Sequence, residues 1–241
     1  MAAAAQSLQR AASAPNGQAR GTVRVTASEM MGTLVLPAML AAFRTKHPAI
    51  VVELALSNRN EDLLQRAADI AVRMQRPTQS ALVARHVGDV RLGLFAHERY
   101  AQACGLPQSL AELASHPLIG IDRDEQVLDH PALKHLGLRR ESFALRCDSD
   151  VAQLMAMKAG FGIGACQIPL AADDPDCVAV LPGSVEMRYE VWLAMHEDQR
   201  HTHRIRLLFE HLAEALGAYV QRGEQGNGNA SQLAHHARRG R

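Results

Sequence analysis

The chain has 241 residues, 47% of them hydrophobic and 21% charged, with a formal net charge of +1 when histidines are neutral. That length suffices for one large domain or two smaller lobes, and no apolar run is long enough to span a membrane. The near-zero charge and the 4% aromatic content argue against a basic DNA-binding face and against stacking platforms for single-stranded nucleic acid.

The first residues, MAAAAQSLQRAASA, have no basic n-region and no apolar h-region, so a secretory signal is not expected. Residues 1–20 read as disordered or as the frayed end of a linker helix carrying Leu8, Ala11 and Ala12, broken by Pro15-Asn16-Gly17. A transit peptide is the weaker reading of this acid-poor start. Residues 21–56 then read strand, helix, strand. Val23 and Val25 belong to a short β-branched run, and Leu36, Met39, Leu40 and Phe43 recur at helical spacing. Pro37 requires that the helix proper begin near Leu34 or kink there, and His47-Pro48 ends it. The apolar run Ile50 to Leu56 predicts a strand covered on both faces of a parallel sheet. Such a βαβ unit leaves a crevice beyond the carboxyl ends of its strands. Ser28 stands at that edge, where a serine caps free N–H groups and the helix start favours an anion.

Ser57-Asn58-Arg59-Asn60 is a polar turn, and Glu61-Asp62 load the first turn of a short helix. A third strand covers residues 68–74, and a loop with Pro77 covers 75–80. Leu82–Val87 and Val90–Ala96 read as two strands around Gly88-Asp89. Ser109-Leu110-Ala111-Glu112 is a capping box opening a helix that ends near His116-Pro117. Leu118–Ile121 and Phe143–Cys147 are strands, with the polar segment 122–137 unassigned between them. Asp148-Ser149-Asp150 caps a helix carrying Val151, Leu154, Met155 and Lys158, which Gly160 closes. Ile163–Cys166, Val178–Leu181 and Met187–Met195 are further strands, with a short segment from Pro169. A long helix from Thr202 places Ile205, Leu208, Leu212, Ala215, Leu216 and Tyr219 on one face, and residues 221–241 have the composition of a disordered tail. Strands and helices alternate throughout, so the class is α/β.

Several short stretches, in this order and spacing, resemble the effector-binding domain of LysR-type transcriptional regulators. They are Gly21-Thr22-Val23-Arg24-Val25, Leu36-Pro37, Phe43-Arg44, His47-Pro48, Asp62-Leu63-Leu64 and Ala68-Asp69-Ile70-Ala71-Val72-Arg73. Leu113-Ala114-Ser115-His116-Pro117-Leu118-Ile119, Ala159-Gly160-Phe161-Gly162-Ile163-Gly164 and Val191-Trp192-Leu193 continue the match. The resemblance implies a two-lobed fold like that of type 2 periplasmic binding proteins, each lobe a mostly parallel sheet flanked by helices. Residues 21–96 with 197–220 would form the first lobe and 97–196 the second, with hinges near Phe95-Ala96-His97 and Met195-His196-Glu197. The family's winged helix-turn-helix finds no counterpart in the sequence, so this chain alone is not expected to read operator DNA.

The resemblance also places a small-molecule effector at the strand ends and helix starts. Carried over residue by residue, that selects Ser28, Ser57, Asn58 and Arg73, then Cys147, Asp148 and Ser149. Hydroxyls, amides and helix N-termini suit a carboxylate, which Arg73 would pair bidentately. The plainer reading makes Ser28, Asn58 and Ser149 N-caps and nothing more, and both roles are compatible. Glu29 and Asp148 oppose an anion, which leaves the effector's charge open.

Other chemistry is poorly supported. Gly160-Phe161-Gly162-Ile163-Gly164 follows a helix and leads into a strand, the reverse of a dinucleotide fingerprint. It reads as a helix cap and a tight turn. The four cysteines form no CxxC pair, and the histidine pairs lack a third ligand at a convincing spacing, so neither metal nor cofactor is expected. Cys147 and Cys166 end neighbouring strand candidates and admit redox sensing, which some relatives perform, against the plainer reading of buried thiols. The expected function is effector sensing and oligomerisation in a cytoplasmic transcription regulator, as a homodimer or larger, and not enzymatic. A transporter's solute-binding protein needs export, and a transferase on the same fold needs a convergent acid, base or nucleophile; the sequence offers neither.

Overall fold

The computed structural model describes residues 19–58, 68–78, 81–123, 129, 131, 134, 136–185 and 187–237. The expected short helix at Glu61-Asp62 and most of segment 122–137 lie outside them. Among the described residues the chain forms two compact units. The first contains the described residues through Asp89 together with Glu190–Ala218, and the second contains Val90–Tyr189 and the chain from Tyr219. The chain thus passes between units at Asp89/Val90, Tyr189/Glu190 and Ala218/Tyr219, where the sequence placed the divisions after Ala96 and His196.

The first unit is built on β1 (Gly21–Ala27). β2 (Ile50–Leu56) and β3 (Ile70–Arg73) pair with it in parallel, one on each side. β9 (Met187–His196) then joins β3 antiparallel, Ile70 opposite Met195 and Arg73 opposite Trp192. Val23, Val25 and Ala27 of the central strand are fully buried. β1 leads into a wide π-turn, Met31–Val35, before α1 (Leu36–Lys46). The turn resolves the difficulty of Pro37: a residue without an N–H falls in the first turn of α1, where none is required. His47 ends α1 as expected, its N–H bonded to Phe43 O.

β2 corrects an expectation. It is an edge strand with Val51 55% and Leu56 49% exposed, not a strand covered on both faces. A run of apolar residues fixes strand character but does not distinguish the centre of a sheet from its edge.

β4 (Leu82–His97) is likewise one strand where two were expected, because Gly88 takes φ 146° and carries the extended backbone through. Its second half belongs to the second unit and pairs antiparallel with β7 (Gly164–Gln167) and β8 (Cys177–Val180). α2 (Glu98–Cys104) and α3 (Leu110–Leu113) follow β4; Ser109 Oγ caps α3 by accepting the Glu112 N–H, while the Glu112 carboxylate accepts from Gln108 N–H, so only the Ser109 half of the expected capping box forms. β5 (Leu118–Gly120) and β6 (Phe143–Arg146) form a separate parallel pair. The core here gathers Ala96, Tyr100, Leu113, Leu118, Phe143, Ile163 and Val180. α4 (Asp150–Lys158) starts at Ser149, whose Oγ accepts the Ala152 N–H at 3.2 Å. Gly160, with φ 83°, closes it, and a Cβ on Gly162 would lie 2.1 Å from Pro117 O. The glycine-rich motif is therefore a cap and a close backbone approach. α5 (Ile168–Ala172) and β8 complete the unit.

α6 (His203–Ala237) carries the expected stripe, with Ile205, Leu208, Leu212 and Leu216 fully buried. It continues past Arg222, where a disordered tail was expected. Contacts that composition does not reveal hold it there: Tyr219 OH donates to Gln167 Oε1 at 2.6 Å and Arg222 reaches Asp173 at 3.1 Å.

Lys158 and Asp174 form a pair at 2.7 Å that ties the end of α4 to the loop before β8. The hydrogen bond from Lys158 holds the Asp174 carboxyl below its ordinary range. A carboxyl depressed in the fold contributes stability above its unfolded pKa and loses it as pH falls through the folded value. Lys158 is 39% exposed, so screening limits the pair to about 0.2–1 kcal/mol. Asp174→Asn should lower stability in urea by that amount at pH 7, and the gap should close as pH falls below the ordinary carboxylate range and the wild-type carboxyl protonates. A gap that persists unchanged at low pH would refute the ion-pair account.

Candidate functional site

The expected residues of the first unit meet where β1, β2 and β3 end. Because the three strands are parallel, their carboxyl ends lie on one edge and the chain turns away from the sheet at each. Ser57 N–H donates to Ala27 O at 2.9 Å, and Asn58 Oδ1 accepts the Glu29 N–H at 2.9 Å. The turn after β2 therefore satisfies the helix start after β1. Ser28 carbonyl accepts the Gly32 N–H at 2.8 Å, but its hydroxyl is buried with no hydrogen-bond partner among the described residues. The expectation that Ser28 caps the helix with its side chain is corrected: Asn58, thirty positions later in the chain, supplies that oxygen.

Arg73, the last residue of β3, is 4% exposed. Its Nη1 donates to Val72 O at 3.0 Å and its Nη2 to Thr26 Oγ1 at 3.2 Å. A buried guanidinium requires such bonds to offset lost hydration. Thr26 was not among the expected site residues. It lies in β1 two positions before Ser28, which follows the strand directly, so strand alternation is the available signal that both face one side. Asp69, also missed, is buried and accepts the Arg24 N–H at 2.8 Å, fixing β3 beside β1.

In the second unit Cys147, Asp148 and Ser149 follow β6. Cys147 N–H donates to Gly120 O at 2.9 Å, and Cys147 Sγ accepts from Ser149 N–H at 3.4 Å. Asp148 Oδ1 accepts from both Asp122 and Arg123 N–H at 2.9 Å, so it organises the neighbouring turn while Ser149 alone caps α4. Gln153, nine-tenths buried, donates to Cys147 O. The seven expected residues thus form two groups, four on the first unit and three on the second.

The first group offers a buried hydroxyl, an amide and a guanidinium around one turn, a set suited to hydrogen-bonding a small polar ligand. Cys166 is 2% exposed and burial pushes its thiol up to about 12, which keeps it in the unreactive form near neutral pH. Among the described residues no helix is long and apolar enough to cross a membrane.

Comparison with known proteins gives a consistent result. The family model described as the LysR substrate binding domain matches residues 16–217. An HTH-type transcriptional regulator of Xanthomonas campestris pv. campestris is 32% identical over 108 residues, 45% of this chain and 31% of that protein. The HTH-type transcriptional regulator CrgA of Neisseria meningitidis serogroup C is 34% identical over 101 residues, 42% of this chain and 34% of that protein. These matches span about a third of the relatives' own length. The solved CrgA regulatory domain superposes with a TM-score of 0.73 at 24% identity, covering 81% of this chain and 98% of that one. Full-length AphB of Vibrio cholerae superposes with 0.68 at 20% identity, covering 88% and 73%. The fold is therefore that of LysR regulatory domains, two-lobed and like the periplasmic binding proteins.

The hydrogen bonds at the first group separate two variants. Asn58→Ala should cost about 1 kcal/mol of folding stability, the usual loss of a cap. Ser28→Ala, which removes a buried hydroxyl without a partner among the described residues, should not lower stability and should raise it by up to about 1–3 kcal/mol. Chemical denaturation of the two variants checks both, and a larger loss in Ser28→Ala would mean that Ser28, not Asn58, holds the helix start.

Proposed function

The chain belongs to the LysR substrate-binding domain family, and on that premise we propose that residues 21–220 sense a small-molecule effector and mediate oligomerisation for a LysR-type transcriptional regulator. The family is a class of transcription regulators and not a class of enzymes; we extend that to this chain, which is read as a binding domain. The observation that carries the proposal is the buried hydroxyl of Ser28, without a hydrogen-bond partner among the described residues, at the ends of three parallel strands with Asn58, Thr26 and Arg73. A ligand group donating to or accepting from that hydroxyl recovers a hydrogen bond the fold leaves unmade. Ser57, Asn58 and Arg73 complete the effector-binding set proposed on the first unit; Cys147, Asp148 and Ser149, on the second unit, form a separate candidate group. Sequence reading divides the lobes as 21–96 with 197–220 and 97–196, and the effector acts by favouring one arrangement of them over another.

A coupling of about 1–3 kcal/mol between effector and output is typical. The effector class best suited to this set is a small carboxylate or aromatic acid, with Arg73 as the pairing cation. DNA recognition in the whole regulator is assigned to a helix-turn-helix element, not to residues 21–220. The working compartment is the cytoplasm, and the working assembly is a homodimer or larger.

A thermal-shift screen of small carboxylates and aromatic acids tests the reading. At least one compound should raise the melting temperature of the wild-type chain, and Ser28→Ala should reduce that rise without lowering the unliganded melting temperature. Any compound that binds should be recovered unaltered after prolonged incubation; its turnover would replace sensing with catalysis. Sedimentation at micromolar concentration should show more than a monomer, and a strictly monomeric chain at high concentration would count against the oligomerisation role.

A further inference from the structure

Within the first unit, strand register sets a row of side chains beside the Ser28 turn. Ala27 lies opposite Val72 in the parallel pair β1–β3, so the register carried one residue further sets Ser28 opposite Arg73. Arg73 in turn lies opposite Trp192 in the antiparallel pair β3–β9. Residues directly opposite on paired strands share a face, and so do residues two apart on one strand. Ser28, Arg73 and Trp192 therefore form one row, with Thr26, Ala71 and Ala194 as the row before it on the same face. Ala71 and Ala194 are fully buried with Leu82 packed against them, so that earlier row is built of small side chains. Two strand spacings, about 10 Å, separate the Ser28 end of the outer row from its Trp192 end.

Trp192 is the one tryptophan of the chain and is half-buried. Its neighbours hold the ring and use its single polar atom. Nε1–H donates to Glu190 Oε2 at 2.7 Å. The Arg76 guanidinium lies over the ring, 5.5 Å from the centroid. The His86 ring, which shares a 2.8 Å hydrogen bond with Asp89, packs on Trp192 at 5.0 Å between centroids and 42° between planes. The indole thus has no hydrogen bond left to offer a ligand, and what it presents is carbon surface. Arg73 across the strand pair and Arg76 over the ring place two positive charges beside it, against the one carboxylate of Glu190 at its edge. That balance disfavours a cationic ligand group and favours an anionic one.

We propose that Trp192 is the aromatic wall of the Ser28 site, and that the site takes a single-ring aromatic carboxylate with its acid group at Ser28 and Arg73 and its ring against the indole. The inference rests on the effector-sensing reading and narrows it. An aliphatic acid of the same size bonds the Ser28 hydroxyl equally well but leaves the indole without an aromatic partner. Paired aromatic rings gain about 1 kcal/mol beyond the area they bury, which is a preference of about five-fold.

Intrinsic fluorescence, which here reports Trp192 alone, and thermal shift test this on the full chain with benzoate and cyclohexanecarboxylate as probes. Benzoate should change the emission saturably, with its midpoint at the concentration that gives half the thermal shift, and should bind about five-fold more tightly than cyclohexanecarboxylate. Ser28→Ala should move both benzoate midpoints to higher concentration together. Trp192→Leu should abolish the preference for benzoate, and Trp192→Phe should keep it. If Trp192→Leu does not fold, the wild-type emission and preference decide. Equal affinity for the two probes, benzoate binding without a change in emission, or a preference that survives Trp192→Leu would overturn the aromatic wall and leave effector sensing at Ser28 standing. An emission midpoint that Ser28→Ala does not move would also overturn it, because benzoate would then sit at another site. No thermal shift with either probe, while another carboxylate stabilises the chain, overturns the aromatic class alone; a chain that no carboxylate stabilises overturns the effector reading as well.

Discussion

Three parallel strands that end on one edge create a requirement which the rest of the first unit serves. At each strand end the backbone leaves the sheet, and its N–H and C=O groups lose their ladder partners together. The chain answers with bonds between neighbouring turns: Ser57 N–H to Ala27 O, Asn58 Oδ1 to Glu29 N–H, Arg73 to Thr26. Each links residues brought together only by the sheet. The wide turn at Met31–Val35 belongs to the same requirement, since it delivers Pro37 to a position where its missing N–H is harmless. Turns of that kind are rare and are frequently found at functional sites.

Much of the fold is legible in the sequence where periodicity or local chemistry decides. Alternation gave β1, the 3.6-residue stripe gave α6, and Ser109 and Ser149 announced their helices because a cap lies two or three residues from the amide it serves. The readings that changed depend on distant parts of the chain. The exposure of β2 follows from having one sheet partner, which a hydrophobic run cannot encode. The helix start at Glu29 takes its cap from Asn58, and no local rule would prefer it over the adjacent serine. Gly88-Asp89 has the composition of a turn, yet the strand continues through it because pairing on the sheet outweighs a local preference. The contacts of α6 at Tyr219, Arg222 and Gly223 are made with Gln167, Asp173 and Arg91, each far away in sequence.

The cysteines show how burial separates chemistry from composition. Cys166 and Cys177 lie near one another electrostatically and near the Lys158–Asp174 pair, an arrangement that in an open cleft would favour thiolate. Loss of hydration outweighs the lysine at both, and their thiols are pushed up to about 12 and about 11. Lys158 is occupied with Asp174 at 2.7 Å, so its charge is already spent on a carboxylate. Packing accounts for these thiols.

The proposed ligand contact at Ser28 can be weighed by magnitudes. A hydroxyl buried without a partner costs about 1–3 kcal/mol. An alanine would avoid that cost, and Asn58 already satisfies the adjacent amide, so helix capping gives no reason to keep a serine. A bound group that bonds the hydroxyl recovers about the same 1–3 kcal/mol, within the range by which effectors bias regulatory proteins between two states. The recovered energy shifts the equilibrium only if it is realised in one arrangement of the protein and not in the other. A site placed on the rigid end of β1, next to a wide turn that leads into a helix, meets the first half of that condition: the hydroxyl is held in position before the ligand arrives.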